Sequence, residues 1–124
     1  MATDLWMVIA IVPRFRLDGV TRALEELPGF GGLTVSDCRG FGHERLAGET
    51  AEPGDAPGIE TDLTDFKPRV KLEAVVAGRA AADAIVAAIA QTAHTGRGGD
   101  GKIFLIAVEQ AVRIRTLAVD HDAL

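Results

Sequence analysis

The stretch LWMVIAIVPRFRLDGVTRALEEL, Leu5 to Leu27, decides the fold because it joins two elements with different hydrophobic periods. Its first eight residues form a continuous apolar run, which is typical of a strand buried on both faces. Leu17, Val20, Leu24 and Leu27 then follow at helical spacing, which gives a helix a single apolar face. A Pro-Gly pair follows and predicts the end of that helix. The stretch therefore predicts a buried strand and a helix that packs against it.

The same strand-then-helix order occurs a second time. RVKLEAVV, residues 69–76, predicts a strand, and the Ala-rich GRAAADAIVAAIAQTAH, residues 78–94, predicts a helix. Ile85, Val86 and Ile89 lie on one side of that helix and are its candidates for the core.

Three further segments complete the pattern. GLTVSDCRGFG (32–42) alternates imperfectly, KIFLIAV (102–108) is continuous and apolar, and AVRIRT (111–116) predicts a short last strand. The resulting order predicts an α+β, ferredoxin-like βαββαβ fold with a long loop between strands 2 and 3 and a short C-terminal strand. Both helices would cover one face of a four-stranded antiparallel sheet. VKLEAVV and KIFLIAV look too apolar to leave the other face in water, so we expect an oligomer.

Acidic residues are concentrated between His43 and Phe66. This segment holds seven of the 18 acids and one of the 13 bases, a balance of −6, so the rest of the chain carries +1. Its scattered Gly and Pro and few large apolar residues predict a mobile loop, 43–66, within a single domain, 1–124. We expect no nucleic-acid partner, because nucleic-acid-binding surfaces are basic.

Bulk properties predict a cytoplasmic protein. The apolar runs are about eight residues long, too short to span a bilayer, so no direct membrane insertion is expected. The first residues, MATDLWMVIAIV, lack the basic leader and cleavage site of a signal peptide. The single cysteine, Cys38, excludes an internal disulfide framework and fits a reducing compartment.

The stretch TGRGGDGKIF, residues 95–104, has almost the spacing of a phosphate-binding P-loop. Gly96 is followed by four residues, then Gly101 and Lys102, but Ile103 stands where a P-loop needs Ser or Thr. The predicted helix precedes this loop instead of following it, so its negative end would face an anion. The stretch is therefore not a P-loop.

A phosphate could still be bound here by other groups. The four glycines can turn successive N–H groups inward as a nest, and Lys102 adds a point charge. Arg113 and Arg115 would project from the same side of the predicted last strand. An idle helix-to-strand turn with surface arginines is the alternative, and the chemistry of these residues leaves both open.

The whole pattern resembles the PII signal-transduction family. TGRGGDGKIF is similar to that family's B-loop, usually written TGxxGDGKIF, and EQAVRIRT is similar to its C-terminal segment. RLDGVTRALEEL, LTVSDCRGFG and FKPRVKLEAVV match the family's first helix, second strand and the strand after its T-loop. The resemblance implies a homotrimer that binds an adenine nucleotide (ATP, ADP or AMP, with Mg accompanying ATP) in intersubunit clefts. It also implies that loop 43–66, the T-loop equivalent, contacts a regulated transporter or enzyme.

The resemblance assigns a role to thirteen residues of the nucleotide site. Those that would contact phosphate are Gly99, Asp100, Gly101, Lys102, Arg113 and Arg115, with Thr95 at the ribose or phosphate end. Those that would surround the base are Ile11, Thr34, Gly40, Phe41, Gly42 and Val75.

Departures from the family pattern lie in and beside the insert. The chain has no tyrosine, so T-loop uridylylation is excluded and the chain resembles a divergent PII-like branch. Relatives that sense 2-oxoglutarate place a Gln where this chain has Glu44 and a Lys where it has Arg69. A carboxylate about 4 Å from a dicarboxylate costs about 1–4 kcal/mol at surface-like dielectric, which disfavours 2-oxoglutarate. A smaller anion such as bicarbonate is penalised less, so we expect a link to inorganic-carbon handling.

Three alternatives remain at this point. The first is a nitrogen regulatory PII protein that senses ATP or ADP together with 2-oxoglutarate. The second is a nucleotide hydrolase with Asp100 or Glu44 as base, and the third is a purely structural trimer. No residue of the sequence supplies an evident activator for a hydrolytic water, and one His beside one Glu is a poor metal-ligand set. We therefore expect a regulatory protein, not an enzyme, with no catalytic residues and no metal site of its own.

Overall fold

The computed structural model describes residues 3–41 and 66–124. In chain order its elements are β1 (Leu5–Pro13), a 3₁₀ turn (Arg14–Arg16), α1 (Leu17–Glu25), β2 (Thr34–Gly40), β3 (Lys67–Ala77), α2 (Arg79–Ala93), β4 (Lys102–Val108) and a second 3₁₀ turn (Asp120–Ala123). Both predicted strand–helix units are therefore present.

The four strands form one sheet in the order β2-β3-β1-β4, and every neighbouring pair is antiparallel. β3 lies between β1 and β2, which run in the same direction, and this is the split arrangement of the ferredoxin-like α+β fold. The predicted fold class is confirmed.

Both helices pack on one face of the sheet and enclose its core. Strand residues that alternate along β1 and β3, including Val8, Val12 and Leu72, are at most 2% exposed on this face. α1 contributes Val20 and Leu24, which are fully buried at 0% exposure. The period-2 strand pattern and the helical spacing of the apolar residues therefore point to the same core.

α2 follows β3 through a tight turn. Gly78 caps the helix with a φ of 91°, a backbone conformation that favours glycine. Ile85 and Ile89 are buried and Val86 packs against them partly buried, as the sequence predicts. α1 is shorter than its apolar pattern suggests, since it ends at Glu25 while Leu27 still packs against the core.

The opposite face of the sheet carries no helix and is largely apolar. The strand register places Met7 between Val75 and Ile106 on this helix-free face, and Ile9 beside Phe104. Phe104 and Ile106 are 47% and 45% exposed in the single chain. In the single chain β1 is thus buried along its helix side, whereas on the helix-free side Leu5 is buried and Met7 and Ile9 are only partly buried. The sequence predicts burial on both faces. The remaining apolar surface is what the expectation of an oligomer rests on.

The predicted last strand is reduced to a single bridge between Val112 and Val119. The intervening residues form a turn in which the N–H groups of Thr116 and Leu117 both donate to the carbonyl of Arg113. Leu117 has a φ of 61°, so the backbone closes on itself instead of extending. The alternation of arginine with apolar residues in AVRIRT is typical of a strand, but a strand also needs a neighbouring strand to pair with along its length. This segment pairs at Val112 only.

Most of the acidic insert lies outside the described residues, which resume at Phe66. The prediction of a mobile loop over 43–66, and with it the domain boundaries, stays a prediction. Among the described residues, neither helix is long and apolar enough to cross a membrane.

Candidate functional site

The glycine-rich loop connects the end of α2 to the start of β4. Gly96, Gly99 and Gly101 have φ values of 84°, 93° and 108°, all in the region that favours glycine. Gly101 also passes very close to β1, because a Cβ added there would lie 2.0 Å from the carbonyl oxygen of Ile11. The loop therefore lies against the backbone of β1 at Ile11 and Val12 at a distance that only glycine allows.

The Asp100 side chain points back into this loop. One carboxylate oxygen accepts the backbone N–H groups of Thr95 and Gly96 at 2.6 and 2.9 Å, and the other accepts the Thr95 hydroxyl at 2.5 Å. His94 Nδ1 lies 3.9 Å from the first of these oxygens. Asp100 thus holds both ends of the turn together. The Asp100 carboxylate accepts its hydrogen bonds from the loop itself, whereas the resemblance to the PII family predicts that Asp100 contacts a phosphate.

The pKa of Asp100 reflects two opposing effects. Partial burial raises the pKa of the carboxyl, but the hydrogen bonds from Thr95 and Gly96, with the nearby His94, lower it further than burial raises it. The net pKa lies below the ordinary value of 3.8, so the carboxylate is ionised at neutral pH.

A cavity of about 250 Å³ lies on the helix side of the loop. Val12, Ile89, Ala93 and His94 line it together with Asp100. Its lining is completed by Ala90, Gly101, Lys102 and Ile103. Ligand pockets for drug-sized molecules occupy roughly 300–1,000 Å³, so this cavity of one subunit is too small to enclose a whole nucleotide.

Residues of the predicted nucleotide site share the helix-free face. The register places Ile11 opposite both Lys71 and Lys102, so the Lys102 side chain stands beside Ile11 at the loop end of this face. Arg69, two residues before Lys71, and Val75, four residues after it, point to the same side. Val75 is therefore about 13 Å from the Lys71 row along the strand. The structure brings Gly101, Lys102 and Ile11 together and places Val75 further along the same face.

The predicted base contacts on β2 lie far apart. Thr34 is opposite Glu73 and Gly40 is opposite Lys67, at the two ends of the strand. Six residues of extended chain span about 20 Å, so Thr34 and Gly40 cannot contact one base within a single subunit. Residues at the two ends of β2 can share a ligand only when two copies of the chain contribute.

An aromatic pair stands at the root of the insert. The Phe41 and Phe66 rings have centroids 4.9 Å apart and are tilted by 50°. This contact joins the residue after β2 to the residue before β3 and brings the ends of the insert together. The predicted site residues Gly42 and Glu44 lie outside the described residues.

The two C-terminal arginines lie on a separate turn. β4 carries the chain about 20 Å from Lys102 before the C-terminal segment begins. Arg113 Nε donates to the carbonyl of Ala123 at 3.1 Å, and Arg115 is exposed within the turn. The expectation that both arginines project from one side of a strand is wrong, because the segment is a turn. Among the described residues, no hydrogen bond joins either arginine to loop 95–102.

Lys71 and Glu73 stand among the predicted site residues, although the sequence-based prediction did not include them. They form an ion pair of 3.5 Å on the helix-free face, and they stand opposite Ile11 and Thr34 on the neighbouring strands. Their positions follow from alternation, since residues 71 and 73 lie between 69 and 75 on one side of β3. Of the residues described, no group of three or more His, Cys, Asp and Glu could hold a metal ion.

Fold and loop together define an α+β, ferredoxin-like protein with a glycine-rich loop beside a lysine at one end of an uncovered sheet face. The family model for nitrogen regulatory protein P-II matches residues 5–118. The chain belongs to this family. It is 43% identical over 115 residues to nitrogen regulatory protein P-II of Rhizobium meliloti and 44% identical over 115 residues to that of Azospirillum brasilense; each alignment covers 93% of this chain and 96% of the relative.

A solved structure supports the same conclusion. The crystal structure of Arabidopsis thaliana PII bound to citrate is similar with a TM-score of 0.71 and 31% sequence identity. The similarity covers 98% of this chain and 92% of the Arabidopsis chain. The resemblance to the PII family that the sequence suggests is therefore confirmed.

Proposed function

We propose that this PII protein binds ATP, ADP or AMP in clefts between the subunits of a homotrimer and regulates a transporter or enzyme. The observation that carries the proposal is the close approach of Gly101 to the backbone of β1, directly before Lys102, which stands beside Ile11 at the end of the helix-free face. Backbone N–H groups at Gly99 and Gly101 and the Lys102 ammonium suit a phosphate, and Ile11 suits a purine face.

The clefts must lie between subunits if all predicted contacts serve one nucleotide. The cavity behind the loop is too small, and Thr34 stands about 20 Å from Gly40 along β2. A second subunit that packs on the uncovered apolar face can supply Thr34 and Val75 to a cleft whose other side is loop 95–102. Arg113 and Arg115, which lie on a turn away from the loop of their own chain, would reach the phosphates of a neighbouring subunit.

A second, anionic ligand is proposed beside the nucleotide. Arg69 stands on the helix-free face at the root of the insert, and Glu44 follows Phe41, on the other side of that root, by three residues in the sequence. The Arabidopsis relative is bound to citrate, so a protein of this family can bind a carboxylate anion. Because Glu44 would repel a dicarboxylate, we favour bicarbonate and a link to inorganic-carbon handling. The names of the relatives favour the alternative, a nitrogen regulatory protein that senses 2-oxoglutarate.

The regulated partner would be contacted by loop 43–66. Phe41 is one of the predicted base contacts and pairs with Phe66 at the root of this loop, so a nucleotide that contacts Phe41 would favour one loop conformation by its differential affinity. We propose that the role is regulatory and not catalytic, in the cytoplasm and without a nucleic-acid partner. Mg²⁺ would accompany ATP as part of the ligand and not as a resident ion.

A calorimetric panel tests this proposal. The wild-type chain is titrated with ATP, ADP and AMP, each alone and with 2-oxoglutarate or bicarbonate. We expect saturable sub-millimolar binding of an adenylate and a change in its affinity when bicarbonate is present. In a separate assay of the same mixtures, we expect no phosphate release above background. Coupling to 2-oxoglutarate instead would favour the nitrogen-sensing alternative, and phosphate release that Glu44→Gln abolishes would favour a hydrolase. Absence of heat with every adenylate would contradict the proposal.

A further inference from the structure

The hydrogen bonds of Asp100 give it a role other than ligand contact. Its carboxylate takes three donors from the loop itself, the N–H groups of Thr95 and Gly96 and the Thr95 hydroxyl, at 2.5 to 2.9 Å. A carboxylate is an acceptor only, so it has no proton to offer a phosphate and would repel it at close range. Because the Asp100 carboxylate points into the loop, it does not repel a phosphate at close range. Its charge instead strengthens the hydrogen bonds that it accepts from Thr95 and Gly96.

The Thr95 hydroxyl is committed to the same network. Its single proton is donated to Asp100, and its oxygen accepts the N–H of Arg97 at 3.2 Å. Because a hydroxyl has one proton, Thr95 cannot also donate to a ribose or phosphate oxygen in this arrangement. The first turn of the loop is thus closed by its own side chains, and the outward donors are left to the residues that follow.

We propose that Asp100 and Thr95 form a latch that positions the loop for the nucleotide without touching it. With the latch closed, Gly101 lies against the backbone of Ile11, and Lys102 begins β4 beside Ile11. The latch thereby fixes where the phosphate-binding donors stand. The inference rests on the proposed nucleotide binding and deepens it: it replaces the direct ligand contacts first expected of Asp100 and Thr95 with positioning roles.

The variant Asp100→Asn tests the latch because the two roles predict opposite results. Asparagine keeps the shape but has one acceptor oxygen, so at least one of the three loop donors loses its partner. A positioning role predicts that ADP and ATP both bind about tenfold more weakly, by similar factors. If the carboxylate instead faced the phosphates, removal of its charge in the variant would tighten nucleotide binding, and the gain would be larger for ATP than for ADP. The control Asp83→Asn removes an equal charge from the exposed side of α2 and should bind as the wild type does.

Amide hydrogen exchange in the nucleotide-free protein supplies a second readout. In the wild type the amides of Thr95 and Gly96 should be protected, and in Asp100→Asn they should exchange faster while the core strands stay unchanged. Should that variant not fold, Thr95→Val removes the hydroxyl's hydrogen bonds with Asp100 and with the Arg97 N–H with little change in shape, and Thr95→Ser should restore both protection and affinity. Unchanged exchange at Thr95 and Gly96, or unchanged or tighter nucleotide binding, would overturn the latch. If the wild type binds no adenylate, the proposed function fails while the exchange result still decides whether the latch exists.

Discussion

Replacing Gly101 with alanine should disrupt the loop and abolish nucleotide binding. The new Cβ would lie 2.0 Å from the Ile11 carbonyl oxygen and within 3.2 Å of two further backbone atoms of β1. Since the obstacle is backbone, no rotamer change can relieve the contact, and either the loop or β1 has to move. The left-handed conformation adds roughly 1–2 kcal/mol and the overlap about 1–3 kcal/mol to the loss in the free energy of unfolding. Urea denaturation and an ADP titration measure the two effects.

Gly96→Ala is the matched control for this substitution. Gly96 has a φ of 84°, but an added Cβ there meets only the His94 ring at 3.9 Å. This variant should therefore lose about 1–2 kcal/mol through backbone strain alone and keep measurable ADP binding. Equal losses in the two variants would show that the close approach of Gly101 to Ile11 does not govern the site.

Ile106→Lys should convert the proposed trimer to a monomer and thereby remove nucleotide binding. Ile106 stands beside Met7 in the middle of the helix-free face and is 45% exposed in the single chain. If that face is covered by other subunits, an unpaired ammonium there loses its hydration, which costs several kcal/mol per ion. Sedimentation equilibrium should show three copies of the 13.0-kDa chain for the wild type and one copy for the variant.

Val35→Lys is the control on the opposite side of the sheet. Val35 is 43% exposed, almost the same as Ile106, but it pairs with Leu72 and so lies on the helix side at the edge strand. The same charge at this position should leave the oligomeric state unchanged. A trimer that survives Ile106→Lys would mean that the helix-free face is not the subunit interface.

The fold could be predicted because its signals are local and repeated. Each strand–helix unit carries its own hydrophobic period, and the order of the elements fits one known sheet arrangement. The failures are also physical. AVRIRT alternates as a strand does, but Val112 and Val119 make only one bridge, so the segment turns. The helix side of β1 is buried as expected, whereas Met7 and Ile9 on the helix-free face would need other subunits to cover them.

The site was harder to predict because composition does not say which way a side chain points. TGRGGDGKIF identifies the loop, and its glycines indicate positive φ, but the inward orientation of Asp100 depends on distances set by the end of α2. Lys71 and Glu73 were missed although strand alternation places them beside Ile11 and Thr34. The separation of Thr34 from Gly40 emerges only from the strand register.

The most direct test of the central claim is to map bound ADP by backbone amide chemical shifts. We expect saturable shifts at Gly99, Gly101 and Lys102 and at Ile11 on the neighbouring strand, with the smallest changes in α1 on the helix side of the sheet. These shifts should disappear in Lys102→Ala. Saturable shifts confined to α1, or a spectrum that ADP leaves unchanged, would contradict this binding site.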